Sequence, residues 1–261
     1  MKRARAKDQH KRVYRARSPA ERRPDVLWIY GIHAAAAALA NPSRKVLRIA
    51  ATQNALNRLK EAGAPLPVPP EIVSPRELDQ LFGPDSAHQG VAVEVDTLAP
   101  PILADILGAR LVVVLDQVTD PHNVGAIVRS AAAFGAGGIV TTGRHAPAEG
   151  AVLAKSASGG LEHVPLVSVT NLTRALEELG AAGFTRIGLD SAGSMPLEEA
   201  IAGARVALVL GAEGKGLRQG TRAACDVVAR LDMPGAIRSL NVSNAAALAL
   251  YLARRHLAPA S

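Results

Sequence analysis

From Leu111 onward, short apolar runs alternate with segments in which apolar residues recur at helical spacing. The run LVVVLD (111–116) is apolar almost throughout, which is typical of a strand buried on both faces of a sheet. Five further apolar runs follow, and a long helical segment ends near Arg255. Strands and helices in this order predict an α/β fold with a parallel sheet covered by helices on both faces.

The first part of the chain has a different pattern. VAVEV (91–95) alternates apolar and polar residues, which predicts a half-buried strand, and two strand–helix pairs are predicted before it. Pro100 and Pro101 interrupt the pattern between this small α/β unit and the parallel sheet, which indicates a linker. The predicted organisation is a tail (1–25), a small α/β domain (26–97), a linker (98–109) and a larger α/β domain (110–261).

The net charge of +7 comes entirely from the tail, since residues 1–25 contain ten Lys or Arg against three Asp or Glu. The tail is too poor in apolar residues to form a core, so we expect it to be disordered in isolation. A basic tail attracts polyanions by releasing their counterions, which favours a nucleic-acid partner.

Several classes of protein are disfavoured by what the chain lacks. No apolar run reaches the ~18 to 20 residues of a membrane span, and no group of His, Cys, Asp and Glu has metal-ligand spacing. The one cysteine, Cys225, cannot form an internal disulfide, and its small and apolar neighbours indicate a buried, inert side chain. We therefore expect a cytoplasmic protein that binds neither a membrane nor a metal.

Three polar segments follow predicted strands of the second domain, namely 116–130, 210–217 and 231–244. Each segment alone is explained by ordinary helix caps, such as Asn123 or Ser243, and by turn glycines. Together they indicate a ligand site, because ligands of open α/β sheets bind beyond the carboxyl ends of the strands.

The common signatures for such a site are absent. LGAEGKGL (210–217) does not match the phosphate-binding loop, and FGAGGIV (134–140) lacks the third glycine of the dinucleotide fingerprint. Ser239 has no evident His and Asp partners for a hydrolytic triad. A dinucleotide-dependent enzyme, a kinase and a serine hydrolase are therefore unsupported.

In order and spacing, DPHNVGAIVRSAAAFGA, LVLGAEGKGL and MPGAIRSLNVSNAAALALY resemble the three motifs of the SpoU-type (TrmH-like) RNA ribose 2′-O-methyltransferases. IYGIHAAAAAL and HQGVAVEV are similar to the small amino-terminal domain of the branch that methylates guanosine in 23S ribosomal RNA. The resemblance covers residues 27–255. It implies a trefoil-knotted, parallel-sheet methyltransferase domain after a small L30e-like α/β substrate-binding domain, and a homodimer.

The resemblance also implies S-adenosylmethionine as cofactor and assigns roles by motif. The implied cofactor-binding residues are Leu210, Gly211, Ala212, Leu231, Met233, Leu240 and Asn244. The implied catalytic residues are Asn123, Arg129, Glu213, Ser239 and Asn241. A guanidinium remains charged at neutral pH, so we interpret Arg129 as a clamp for an RNA phosphate. His122 is an alternative general base because an imidazole titrates near neutrality.

We expect methylation of a guanosine ribose in large-subunit ribosomal RNA, with the first domain moving on its linker to capture the RNA. One departure from the family pattern is Asp232, where a proline is common, with Pro234 just after Met233. We expect Ser243 to cap the last helix. The alternatives are a transfer-RNA enzyme, a ribosomal-RNA enzyme acting on adenosine, and a non-catalytic RNA-binding or ribosome-assembly factor.

Overall fold

The computed structural model describes residues 26–143, 150–237 and 239–258. The basic tail predicted for residues 1–25 lies outside these ranges, as does Arg238 of the third polar segment. The described residues form two β-sheets with separate hydrophobic cores. No helix among them is both long and apolar enough to span a bilayer.

The amino-terminal sheet has four strands in the order β1-β4-β2-β3, antiparallel except for the β2–β3 pair. Thr52 caps its second helix, and Ser74 forms a capping box with Glu77 on its third. The elements are β1 (Val26–Tyr30), α1 (Ile32–Ala40), β2 (Val46–Ala51), α2 (Gln53–Glu61), β3 (Glu71–Ile72), α3 (Pro75–Phe82) and β4 (Val91–Asp96).

The second sheet has seven strands, all parallel, in the order β7-β6-β5-β10-β8-β11-β9. The predicted α/β class with a parallel sheet is therefore confirmed. Its strands are β5 (Leu111–Asp116), β6 (Ile139–Thr142), β7 (Leu166–Val169), β8 (Thr185–Leu189), β9 (Met195–Pro196), β10 (Val206–Gly211) and β11 (Val227–Arg230). Its helices are α4 (Pro121–Ala133), α5 (Ala151–Ala157), α6 (Leu172–Ala181), α7 (Leu197–Ala200), α8 (Gln219–Ala223) and α9 (Val242–Leu257).

Strand β5 lies at the centre of this sheet, and all six of its residues are buried. Val113 and Leu115 face a core that includes residues of α4 and α9. Val112 and Val114 face the opposite core, which includes residues of α6. The continuous apolar run is explained by this burial on both faces.

The segment predicted as a linker contains a short 3-10 helix, Leu103–Ile106, and packs on the second domain. Ile106 is 1% exposed and shares the core of α6. The segment is therefore a packed connection and not an extended spacer.

The two units also contact each other directly. Gly159 has a φ of +93°, and a Cβ there would lie 2.7 Å from the Cβ of Ala37 on α1. The guanidinium of Arg44 forms an ion pair with Glu162 in which neither side chain is more than 3% exposed. The Ala-rich helix α1 is thus packed closely against the second domain.

Candidate active site

A cleft of about 370 Å³ opens at the carboxyl edge of the second sheet, beyond β8, β10 and β11. The second and third polar segments both contribute to it. Eight predicted site residues line it, namely Leu210, Gly211, Ala212, Glu213, Leu231, Met233, Ser239 and Leu240. The other lining residues are Leu189, Asp190, Ser191, Gly214, Lys215, Gly216, Val242 and Ala245.

Four predicted residues do not line this cleft. Asn123 and Arg129 lie on α4 of the first polar segment, and Asn241 and Asn244 lie at the start of α9. A hydrogen bond of 3.0 Å from Asn241 Nδ2 to Asn123 Oδ1 nevertheless joins the first and third segments. All three segments thus meet at one edge of the sheet, and Asn244 is exposed there without lining the cleft.

The loop after β10 folds back on itself at Gly211. The amide of Gly216 donates a 3.0 Å hydrogen bond to the carbonyl of Ala212, and Gly214 and Gly216 both have positive φ. A Cβ on Gly211 would lie 2.3 Å from the carbonyl carbon and oxygen of Gly216. Only glycine therefore permits this close approach of the backbone to itself.

Glu213 connects this loop to helix α9. Its carboxylate Oε1 accepts a 3.1 Å hydrogen bond from the backbone N–H of Val242, the first residue of the helix. That N–H has no acceptor inside the helix, and a negative charge is favourable at a helix N-terminus. Glu213 thus holds the second motif against the third.

The predicted cap of α9 was wrong: the cap is Asn241 and not Ser243. Ser243 lies one residue inside the helix, so its own N–H needs an acceptor. Asn241 Oδ1 accepts from that N–H at 2.8 Å and from the Ser243 hydroxyl at 2.6 Å. Likewise, Asp120 and not Asn123 caps α4.

Arg129 and His122 lie seven residues apart on α4, and therefore on one face of the helix. Both are exposed. Within the described part of the chain, the Arg129 guanidinium has no hydrogen-bond or ion-pair partner. His122 Nδ1 lies 3.3 Å from the hydroxyl of Ser156. The structure thus leaves the charge of Arg129 available to a ligand.

Two aspartates near the site, one buried and one half-buried, were not identified from the sequence. Their position at the end of a strand is the only feature that could have indicated them. Asp116 is fully buried and accepts from Nε and from the backbone N–H of Arg218, at 2.6 and 2.9 Å. Asp190 lines the cleft and accepts a 2.7 Å hydrogen bond from Arg222. Both pairs hold helix α8 against the edge of the sheet.

Cys225 is separate from these groups. Burial raises the pKa of its thiol to about 11, so the thiol is protonated at neutral pH and is a weak nucleophile. Among the described residues there is no cluster of three or more His, Cys, Asp or Glu that could hold a metal ion.

A parallel α/β sheet with a cleft formed by these motif loops defines the class of the protein. The chain belongs to the SpoU rRNA methylase family, whose sequence model matches residues 110–251. A second model, RNA 2′-O ribose methyltransferase substrate binding, matches residues 28–101. The predicted family is therefore confirmed for both parts of the chain.

Individual relatives match nearly the whole chain. It is 35% identical over 242 residues to the 23S rRNA (guanosine-2′-O-)-methyltransferase RlmB of Pseudomonas aeruginosa, covering 88% of this chain and 97% of the relative. It is 34% identical over 244 residues to the enzyme of the same name in Coxiella burnetii, covering 89% and 97%.

A solved structure is also similar to this chain over most of its length. The SpoU methyltransferase AviRb from Streptomyces viridochromogenes, in complex with the cofactor AdoMet, aligns with a TM-score of 0.72 and 26% identity, covering 89% of this chain and 90% of that one. The predicted fold class is confirmed by this similarity. The trefoil knot stays a prediction.

Proposed function

We propose that the protein is an S-adenosylmethionine-dependent methyltransferase that modifies the 2′-hydroxyl of a guanosine in 23S ribosomal RNA. The observation that carries this proposal is the 35% identity to a 23S rRNA guanosine-2′-O-methyltransferase that extends over 97% of that enzyme. A transfer-RNA substrate is not favoured, because the relatives matched over 88% and 89% of the chain are named for 23S ribosomal RNA.

The cofactor cleft fits S-adenosylmethionine chemically. Leu189, Leu231 and Leu240 supply apolar walls that suit the faces of an adenine ring, and the backbone at Leu210 and Ala212 supplies polar groups that suit its edges. When bound, S-adenosylmethionine supplies the electrophilic methyl group. The carboxylate of Glu213, at the cleft, favours a positively charged group there.

The residues outside the cleft are proposed to hold the RNA. The unpaired Arg129 binds a phosphate next to the target ribose through its positively charged guanidinium. Asn123 and Asn241 position the ribose through their joined amides, and Ser239 contributes its hydroxyl at the cleft. The hydroxyl proton passes to the RNA phosphate, to water or to His122.

We also propose a role for each part of the chain. The first domain (26–97) binds ribosomal RNA, and the second (110–261) carries the cofactor cleft. We propose a cytoplasmic homodimer, with Leu248 and Tyr251 of α9 at its interface. Both residues are 48% exposed, and the Tyr251 ring contacts that of Phe134 at 6.0 Å between centroids.

The test is transfer of labelled methyl groups from S-adenosylmethionine to unmodified ribosomal and transfer RNA, followed by mapping of ribose methylation. We expect one 2′-O-methylguanosine in the large-subunit RNA. Label confined to transfer RNA would reject the proposed substrate. Absence of label from both RNAs and from immature large subunits would reject the proposed activity.

Variants of Asn241 can distinguish its role as the cap of α9 from its hydrogen bond to Asn123. Asn241→Ala should lower the free energy of unfolding by about 1 kcal/mol, because the cap is lost. Asn241→Ser keeps a capping oxygen and should unfold like the wild type, but it is too short to reach Asn123. Both variants should methylate RNA about tenfold more slowly.

The measurements are urea unfolding and initial rates of methyl transfer for the wild type and both variants. Wild-type transfer by Asn241→Ser would show that the Asn241–Asn123 hydrogen bond has no part in the reaction.

A further inference from the structure

A second cleft, of about 290 Å³, lies at the same edge of the parallel sheet and shares no residue with the cofactor cleft. It lies beyond β6 and β7 and beside α6 and α8. The lining residues are Thr142, Thr170, Asn171, Leu172, Thr173, Arg218, Gly220 and Thr221. Neither the family match nor the proposed mechanism gives this cleft a role.

Thr221 is an almost fully buried residue in the wall of this cleft. The residue is only 2% exposed, and its hydroxyl makes no hydrogen bond within the described ranges. No buried side-chain polar atom in those ranges is both sealed from solvent and without a partner. The small exposed area of Thr221 must therefore include its hydroxyl, which is open to the cleft that the residue lines.

Arg218 adds a cationic donor. Its Nε is bound to the buried Asp116, but its two terminal nitrogens make no hydrogen bond with any described residue, and the side chain is 42% exposed. The pair with Asp116 holds the guanidinium plane in place, which leaves the other edge of the plane for a ligand.

Helix α6 supplies further donors at the opposite wall. It begins at Leu172, so the N–H groups of Leu172 and Thr173 have no acceptor within the helix, while Asn171 accepts from Arg174 at 3.2 Å. The Thr173 hydroxyl faces Gly220, where an added Cβ would lie 3.3 Å from it. None of the described residues that line the cleft is acidic.

We infer that this second cleft binds a phosphate group. Hydroxyls, first-turn N–H groups and the free edge of a guanidinium are all donors, and a tetrahedral anion accepts from several directions at once. Residues 211–216 line the cofactor cleft and Arg218 lines the second, so one loop separates the two sites. The phosphate has two chemical sources, an RNA backbone or free inorganic phosphate, and the RNA source rests on the proposed function.

The first arm of the test uses inorganic phosphate alone. Its affinity is measured by calorimetry and by the amide resonances of Leu172 and Thr173 in the full-length protein. Thr221→Val removes the buried hydroxyl at nearly constant volume and should weaken phosphate binding about tenfold, while Thr221→Ser should restore it. The matched control is Thr97→Val, which alters an exposed threonine directly after β4.

The absence of phosphate-induced shifts in the wild-type protein, or equal affinities in wild type and Thr221→Val, would overturn the inference. Titration of the wild-type protein with phosphate tests binding to the cleft even if Thr221→Val folds poorly.

The second arm identifies the source. If the phosphate belongs to RNA, Thr221→Val should weaken RNA binding, and inorganic phosphate should compete with RNA. Unchanged RNA binding together with weakened phosphate binding would assign the cleft to free phosphate. The phosphate arm uses neither RNA nor cofactor, so its failure is distinguishable from failure of the proposed methyl transfer.

Discussion

Gly211→Ala should abolish measurable cofactor binding, with an affinity for S-adenosylmethionine at least about 100-fold below that of the wild type. A Cβ at this position would lie 2.3 Å from two backbone atoms of Gly216 and 2.7 Å from the amide nitrogen of Leu217. Backbone atoms cannot turn aside as a flexible side chain can, so the loop between residues 211 and 217 must shift. Overpacking of this kind costs about 1–3 kcal/mol, and a 100-fold loss of affinity corresponds to about 2.7 kcal/mol.

The measurement is calorimetric titration with S-adenosylmethionine, accompanied by urea unfolding to verify that the variant is folded. Gly235→Ala is the matched control, because it changes a glycine of the third motif where an added Cβ has no neighbour within 4 Å. The control should bind the cofactor within about twofold of the wild type. A folded Gly211→Ala variant with wild-type affinity would contradict the assignment of the cleft.

The parallel sheet was predictable because its strands are buried on both faces. All six residues of β5 are buried, so the run LVVVLD has no polar alternation and differs clearly from a helix or an edge strand. The short elements β9, α7 and α8 were not predicted. Their two to five residues are fewer than a periodic pattern needs.

The meeting of the three polar segments was also predictable, because parallel strands bring their carboxyl ends to one edge. The role of each side chain at this edge was not predictable. Asn241 and Ser243 are both good capping residues, and the boundary of a helix is uncertain by one or two residues from sequence. The cap is decided by the backbone at Asn241, whose φ and ψ are −53° and 140°, while Ser243 is already helical.

Long-range ion pairs could not be predicted from the local pattern of apolar and polar residues. Asp116 and Arg218 are 102 residues apart, and Arg44 and Glu162 are 118 apart. Such pairs depend on which elements the fold brings together, so no periodicity or spacing indicates them. The expected motion of the first domain on its linker would have to separate the buried Arg44–Glu162 pair.

Arg44→Ala should lower the free energy of unfolding by about 3–5 kcal/mol, because it leaves the Glu162 carboxylate buried without its cation. Arg44 and Glu162 are 0% and 3% exposed at their side chains, and three guanidinium–carboxylate distances lie between 3.0 and 3.1 Å. Asn41 donates a further hydrogen bond to Glu162, but an amide does not neutralise a carboxylate. Arg174→Ala is the matched control, since its pair with Glu178 is 78% and 50% exposed and should contribute less than about 1 kcal/mol.

The double variant Arg44→Met, Glu162→Leu removes both charges and should recover most of the stability, because an apolar pair of similar volume needs no compensation. Urea unfolding of the wild type, Arg44→Ala, the double variant and the control measures these differences. A loss below about 1 kcal/mol in Arg44→Ala would contradict the burial of the pair. A loss of 3–5 kcal/mol would confirm that the Glu162 carboxylate lies in a contact between the two units from which water is excluded.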